Sequence, residues 1–205
     1  SQQTALPPNY LLAEDWEAGQ LALTVSTIGF DLETTSPKHG RYFAVQEAEV
    51  VGYSVAWQPG QAVYVGGKPV DVQAALESPV VKVVCHNTKF EYGKLRQLGI
   101  SLNNYEDTKL AAWLLQYPST QLKDLARQVL SRDPITYQQV TGGRDMSMLA
   151  PEDIVEYAAA DADNTLMLWH ILEARLKANG LWDLYNGIEL PLIPVLHDME
   201  RRGIL

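Results

Sequence analysis
The sequence predicts an α/β fold, a mixed β-sheet flanked by helices, and three stretches carry that expectation. Residues 50–57 (VVGYSVAW) and 61–66 (QAVYVG) are β-rich runs joined by Gln58-Pro59-Gly60, which signals a hairpin and therefore an antiparallel pair. Residues 80–85 are apolar except for Lys82, as a buried strand is, and run straight into His86-Asn87 and a helix that Gly99 stops. Pro151-Glu152-Asp153 then opens the longest helical stretch, with proline in the first turn and acids beside it to suit the macrodipole, and Asn179-Gly180 closes it. Strands first, a hairpin, then strand–helix units give a sheet with mixed strand directions.

The remaining elements follow in order. Residues 21–31 read as a largely apolar strand feeding a turn at Asp31 and Glu33, and 70–77 as a short helix. A short strand near 104–107 precedes a helix over 108–116, which Pro118 ends, and another helix covers 121–131. The segment 133–151 centres on Gly142-Gly143, shows little periodicity, and reads as a surface excursion. A last amphipathic helix starts at Leu181 or Glu189 and ends at Arg202.

Composition narrows the classes. A hydrophobic fraction of 46% suits a soluble globular chain. No apolar run approaches the roughly 18 residues of a membrane span, so no membrane partner is expected. The first twenty residues carry Glu14, Asp15 and Glu17 without Lys or Arg, unlike a signal peptide. The single cysteine, Cys85, leaves no disulfide framework and fits a reducing cytoplasm. The chain begins at Ser1 and stops at Arg201-Arg202-Gly203-Ile204-Leu205 within what reads as continuing structure, as an excised piece of a longer protein would.

The net charge of −9 argues against indiscriminate nucleic-acid binding, but its distribution is uneven. Residues 1–81 hold 3 basic and 9 acidic side chains, 82–144 hold 9 and 5, and 145–205 hold 4 and 11, for net charges of −6, +4 and −7. The middle third can face phosphates while the acidic flanks supply metal ligands or solvated surface.

Four carboxylates stand out because each interrupts an apolar face, where burial is costly without a positive partner. Asp-x-Glu is a weak pattern, with roughly one chance match expected in a chain this long, and it occurs three times. Asp15-x-Glu17 and Asp198-x-Glu200 read as solvated helix faces; Asp31-x-Glu33 sits at a strand end, where alternation puts both acids on one face. In the long helix Ile154, Ala158, Thr165, Leu168 and Leu172 form a core stripe that includes Asp161 and excludes Asp163. Tyr157 lies one turn before Asp161, either as a structural hydrogen-bond partner or as a hydroxyl beside a metal ligand. Glu91 shares a face with Leu95 and Leu98 and either points at the sheet or stays partly exposed. Asp107, before Thr108, reads as a helix N-cap. The four histidines show no zinc spacing, and no phosphate loop or nucleophile motif is present. A shared divalent metal site and metal-assisted hydrolysis is the reading left.

Phe30-Asp31-Leu32-Glu33-Thr34, His86-Asn87-Thr88-Lys89-Phe90-Glu91 and Tyr157-Ala158-Ala159-Ala160-Asp161-Ala162-Asp163 together resemble the three exonuclease motifs of the DnaQ-like family, in its tyrosine-type subgroup. They are most similar to the 3′–5′ proofreading exonuclease domain of family A, bacterial-type DNA polymerases. The run from Glu189 through Ile204 is similar to the segment that leads into the polymerase domain there. The resemblance implies a ribonuclease H-like fold, with residues 1–19 as a lead-in, 20–187 as the exonuclease domain and 188–205 as a helix toward a polymerase domain.

It further implies a monomer that uses two divalent ions, Mg²⁺ or Mn²⁺, to release nucleoside monophosphates from a single-stranded DNA 3′ end. Asp31, Glu33 and Asp161 would hold one ion, Asp31 would bridge to a second with Glu91, and Tyr157 would orient the attacking water. Thr34, Asn87 and Phe90 would meet the terminal nucleotides, where the alternatives are a turn Asn and a core Phe.

Two departures matter. The second motif ends in Glu91 where the family has Asp, and one added methylene moves a carboxylate by about 1.5 Å, a shift that can cost about a hundredfold in rate. The loop Ser36-Pro37-Lys38-His39 lacks the large apolar wedge that the family often carries. A catalytically impaired scaffold and a ribonuclease D-like RNA-trimming enzyme are the competing expectations.

Overall fold
The computed structural model describes residues 8–39 and 44–204. Six strands form one mixed sheet: β1 (Asn9–Leu12), β2 (Thr27–Thr34), β3 (Val50–Gln58), β4 (Gln61–Gly66), β5 (Lys82–Cys85) and β6 (Tyr105–Asp107). Their order is β1-β4-β3-β2-β5-β6. β2, β3 and β4 are antiparallel neighbours, as the hairpin signal requires, while β1 joins β4 and β5 joins both β2 and β6 in parallel. The helices are α1 (Asp15–Ala22), α2 (Ala44–Glu47), α3 (Gln73–Leu76), α4 (Thr88–Gln97), α5 (Thr108–Leu114), α6 (Leu122–Leu130), α7 (Tyr137–Thr141), α8 (Pro151–Ala178), α9 (Trp182–Leu184) and α10 (Leu192–Arg201).

β2 is central and covered on both faces. Ile28, Phe30 and Leu32 point into a core shared with Ala18 and Ala22 of α1, Leu76 of α3 and Leu95 of α4. The odd-numbered face of β2 looks the other way, at α8. There Gly29 takes the place where a Cβ would collide with the carbonyl oxygen of Ala162 and stand 3.0 Å from Leu166 Cβ. Ala56, Ala62, Ala159 and Ala162 complete this small-residue seam. A glycine and four alanines let a helix backbone settle directly on the sheet.

Several sequence expectations need correction. Residues 21–31 are not one strand. Glu14 and Glu17 form a capping box that starts α1, which buries Ala18, Gly19 and Ala22 and ends at Ala22, and β2 begins only at Thr27. Asp31 and Glu33 therefore lie within the strand rather than in a turn after it. The stretch 133–151 is more than a surface excursion, because it contains α7 and a 3₁₀ turn over Met146–Met148 whose Met146 packs with Tyr64, Leu149 and Ile154. The last helix is broken: a π turn over Tyr185–Glu189 and Pro191 separate α9 from α10.

Two acids read as solvated, and Asp163, read as outside the core stripe, are engaged. Asp15 accepts from the Tyr53 hydroxyl and from Asp71 N–H (2.9 Å). Glu200 pairs with Lys89. Asp163 is fully buried, since α8 is enclosed at this turn by β1 and the strand ends; it accepts from Tyr10 (2.7 Å), Arg132 (2.7 Å) and Gly60 N–H (2.8 Å).

Gly29→Ala is expected to force α8 off β2 and cost roughly 1–3 kcal/mol, the usual scale of core overpacking. Denaturant unfolding of the variant beside the parent measures it.

Candidate active site
The strand alternation and the seam together assemble a carboxylate cluster. Asp31 and Glu33, paired across the ladder with Ser54 and Gly52, share the β2 face of Gly29. Asp161 precedes Ala162, the residue pressed on Gly29, and is 5% exposed. One carboxylate oxygen from each of Asp31, Glu33 and Asp161 lies within 4.8 Å of the others. Glu33 Oε1 is buried with no hydrogen-bond partner among the described residues.

The electrostatics follow from that crowding. Burial, then the Asp161 charge, pushes the Asp31 carboxyl up to about 8, against the pull of Lys123. Asp31 keeps partial contact with solvent, whereas Glu33 is buried. Glu33 is raised well above the carboxylate range by burial first, then by Asp31 and Asp161. Burial raises Asp161 too, opposed by Lys123 and by the Tyr157 hydroxyl. Three acids at this spacing cannot all ionise without added positive charge. Oxygen donors alone, one of them partnerless, form a donor set that fits a hard divalent cation.

Glu91 comes from α4. It is 3% exposed, as the sheet-facing expectation had it, and packs on the same helix face as buried Leu95. Its Oε2 has no hydrogen-bond partner among the described residues, and burial followed by the Asp31 charge raises its carboxyl. It lies near enough to feel the Asp31 charge but stands outside the three-acid cluster.

Tyr157 lies one turn before Asp161, within hydrogen-bonding reach, and burial first and Asp161 second raise its phenol, so it stays a neutral hydroxyl. Phe90 is half-buried and belongs to no core cluster among the described residues, unlike the core Phe that its position allowed. Asn87 holds a left-handed backbone (φ 80°), which asparagine tolerates, at the entry to α4. It lines a cleft with Lys89, Lys109, Trp113 and Leu196. Thr34 is half-buried at the end of β2, just past a register shift at Glu33. The following loop is held by Asp145, which accepts from Ser36 N–H at 2.7 Å.

Asp107 behaves as the expected N-cap and does more. Its carboxylate accepts from Lys109 and Leu110 in α5 and from Asn87 and Thr88 at the start of α4, at 2.8–3.3 Å. Those bonds occupy it and keep it out of the cluster. His86 is likewise structural: its ring meets Thr108 Oγ1 at 2.8 Å and the Thr120 carbonyl at 2.9 Å, and burial lowers it to about 4.

Two residues beside the cluster carry no sequence signal of their own. Lys123 of α6 pairs with Asp161 and stands 4.1 Å from the centre of the Tyr157 ring. Tyr137 of α7 sets its ring edge-on to Tyr157 at 6.5 Å. Only the basic middle third of the chain hinted at the first, and the second lies in the stretch read as an excursion.

A carboxylate cluster across β2 and a facing helix, on a mixed six-stranded sheet, has the ribonuclease H-like architecture of the DnaQ-like fold. A family profile described as 3′–5′ exonuclease matches residues 12–177, and the chain belongs to that family, the exonuclease domains of family A polymerases. It is 32% identical to the DNA polymerase I of Rhizobium leguminosarum over 89% of this chain and 21% of that protein. With the DNA polymerase I of Chloroflexus aurantiacus the identity is 34% over 100% of this chain and 24% of that protein. The chain thus spans about a fifth to a quarter of the length of these relatives. Brucella melitensis NrnC, solved with bound Mg²⁺, superposes with a TM-score of 0.74 at 16% identity over 97% of this chain and 95% of its own, which shows the fold alone.

A carboxyl whose folded pKa lies above its unfolded value stabilises the fold below the unfolded value and loses that contribution as pH rises through the folded one. In EDTA the part of the stability carried by Asp31 is therefore expected to fall between about pH 4 and about pH 8. Asp31→Asn should melt higher relative to the parent at pH 8 than at pH 4, and thermal unfolding across that range measures the difference.

Proposed function
We propose that this chain removes nucleotides from the 3′ end of single-stranded DNA as the proofreading domain of a DNA polymerase, with the polymerase domain following α10 in the same polypeptide. The observation that carries the reading is the cluster of Asp31, Glu33 and Asp161 oxygens within 4.8 Å. Its support is the family membership and the DNA polymerase I identity of the relatives.

In this reading Asp31, Glu33 and Asp161 would hold one divalent ion, and Asp31 and Glu91 would serve a second; Mg²⁺ or Mn²⁺ is the choice for an all-oxygen set. Such ions, when bound, supply charge neutralisation at the scissile phosphate and lower the pKa of water. The chain's own groups do the rest. The Tyr157 hydroxyl is neutral, so it orients the attacking water as donor and acceptor and does not deprotonate it. The partnerless Glu33 Oε1 is available to accept a hydrogen bond from that water. Phe90 offers an apolar face to the terminal sugar or base, Asn87 lines the cleft that the strand enters, and Thr34 borders the first motif. The product is a nucleoside monophosphate, and the domain works without a second copy of itself. The single buried cysteine and the absence, among the described residues, of any helix long and apolar enough to cross a membrane accord with a cytoplasmic site of action.

A 5′-labelled single-stranded DNA oligonucleotide incubated with Mg²⁺ or Mn²⁺ is expected to give a ladder shortened from its 3′ end, lost with EDTA and in Asp31→Ala. No ladder with either ion, or faster trimming of RNA than of DNA, overturns the assignment. Glu91→Asp restores the shorter acid and is expected to raise the Mg²⁺-dependent rate, by up to about a hundredfold. A fall in the same ladder assay means that the second ion's site is built around the longer side chain.

A further inference from the structure
Lys123 is the one cation whose ammonium pairs with a carboxylate of the cluster among the described residues. It comes from α6, which lies outside the sheet and the three motifs in sequence but packs against α8, and its side chain is only 20% exposed. The ammonium lies against Asp161 Oδ1 and 4.1 Å from the centre of the Tyr157 ring, so one side chain touches both the ligand and the water-orienting group. A cation over an aromatic face gains a second attraction that does not depend on Asp161.

We propose that Lys123 is a tethered counter-cation of the metal site: it holds Asp161 in the metal-free protein, gives that oxygen up when a divalent ion binds, and then stays on the Tyr157 ring beside the scissile phosphate. The inference rests on the metal-site reading above. Both cations need Asp161, and a divalent ion offers the three acids more charge at shorter range than an ammonium does. Before loading, Lys123 keeps Asp161 from repelling Asp31 and Glu33, so the ligands stand ready. After loading, its flexible stem and the Tyr157 ring keep a positive charge at the edge of the cluster, where a phosphate oxygen arrives. Lys123 is a positioning residue in the first state and a phosphate contact in the second.

Lys123→Met keeps the length of the stem and removes the charge. Calorimetric titration with Mn²⁺ is expected to show binding tightened roughly tenfold over the parent, because the competing cation is gone. In EDTA the same variant should melt lower than the parent, and Lys123→Arg should match the parent in both measurements. A Lys123→Met affinity equal to or weaker than the parent's overturns the inference and leaves the exonuclease reading standing. Failure of the parent itself to bind Mn²⁺ overturns both. If Lys123→Met does not fold, the parent decides alone: the rate of reductive methylation at Lys123, read by mass spectrometry, should rise on Mn²⁺ saturation, and an unchanged rate overturns the inference.

Discussion
The close approach of α8 to the sheet governs this structure. Gly29 leaves no Cβ between β2 and the Ala162 carbonyl, and the seam extends to Ala56 and Ala62 on the neighbouring strands and to Ala159 on α8. A helix seated at ordinary side-chain distance would hold Asp161 too far from Asp31 and Glu33 for one ion to reach all three. The seam is made of residues that bring little hydrophobic energy of their own. It is held closed by the larger clusters around it, with Phe30, Tyr53 and Leu95 on one face of the sheet and Trp169, Leu172 and Tyr185 on the other. Burying these acids is destabilising in itself: burial raises the carboxyls of Asp31, Glu33 and Asp161, and the neighbouring charges raise Asp31 and Glu33 further. The fold tolerates that strain because the same arrangement suits a cation.

A second constraint sets the position of Glu91. The Asp107 carboxylate accepts from the first turns of α4 and α5 together, and the Tyr185 hydroxyl accepts from Asp107 N–H at 2.8 Å and donates to Glu106 at 3.0 Å. Glu106 is paired in turn with Lys82 at 3.1 Å. This buried network ties β6, α4 and α5 to the π turn after α9. It fixes the α4 backbone from which Glu91 projects, so the reach of that side chain, rather than helix movement, decides what its carboxylate can touch.

The sequence alone determined much of this protein. The hairpin, the buried β5, the long α8 and the Asp107 cap were legible because each rests on local signals: periodicity, turn residues and capping chemistry. The three motifs marked Asp31, Glu33, Glu91, Tyr157 and Asp161, since acids interrupting apolar faces are anomalous wherever they occur. The α1–β2 boundary was not legible, because Leu21-Ala22-Leu23 suits a strand as well as a helix until Ala18 and Ala22 are seen to face the core. Asp163 fell outside the core stripe because its burial comes from β1 and Arg132, both distant in the chain.

Only the tertiary structure decided which polar groups act together. It separated Asp107, consumed by four backbone donors, from the acids that share a cluster, and it drew Asp15 onto Tyr53. It also brought Lys123 and Tyr137 from separate helices to Tyr157. Residue type and spacing report what a side chain can do, and they act over one or two turns. Which charges meet depends on how elements far apart in sequence pack, and here that packing is set by a glycine and a few alanines.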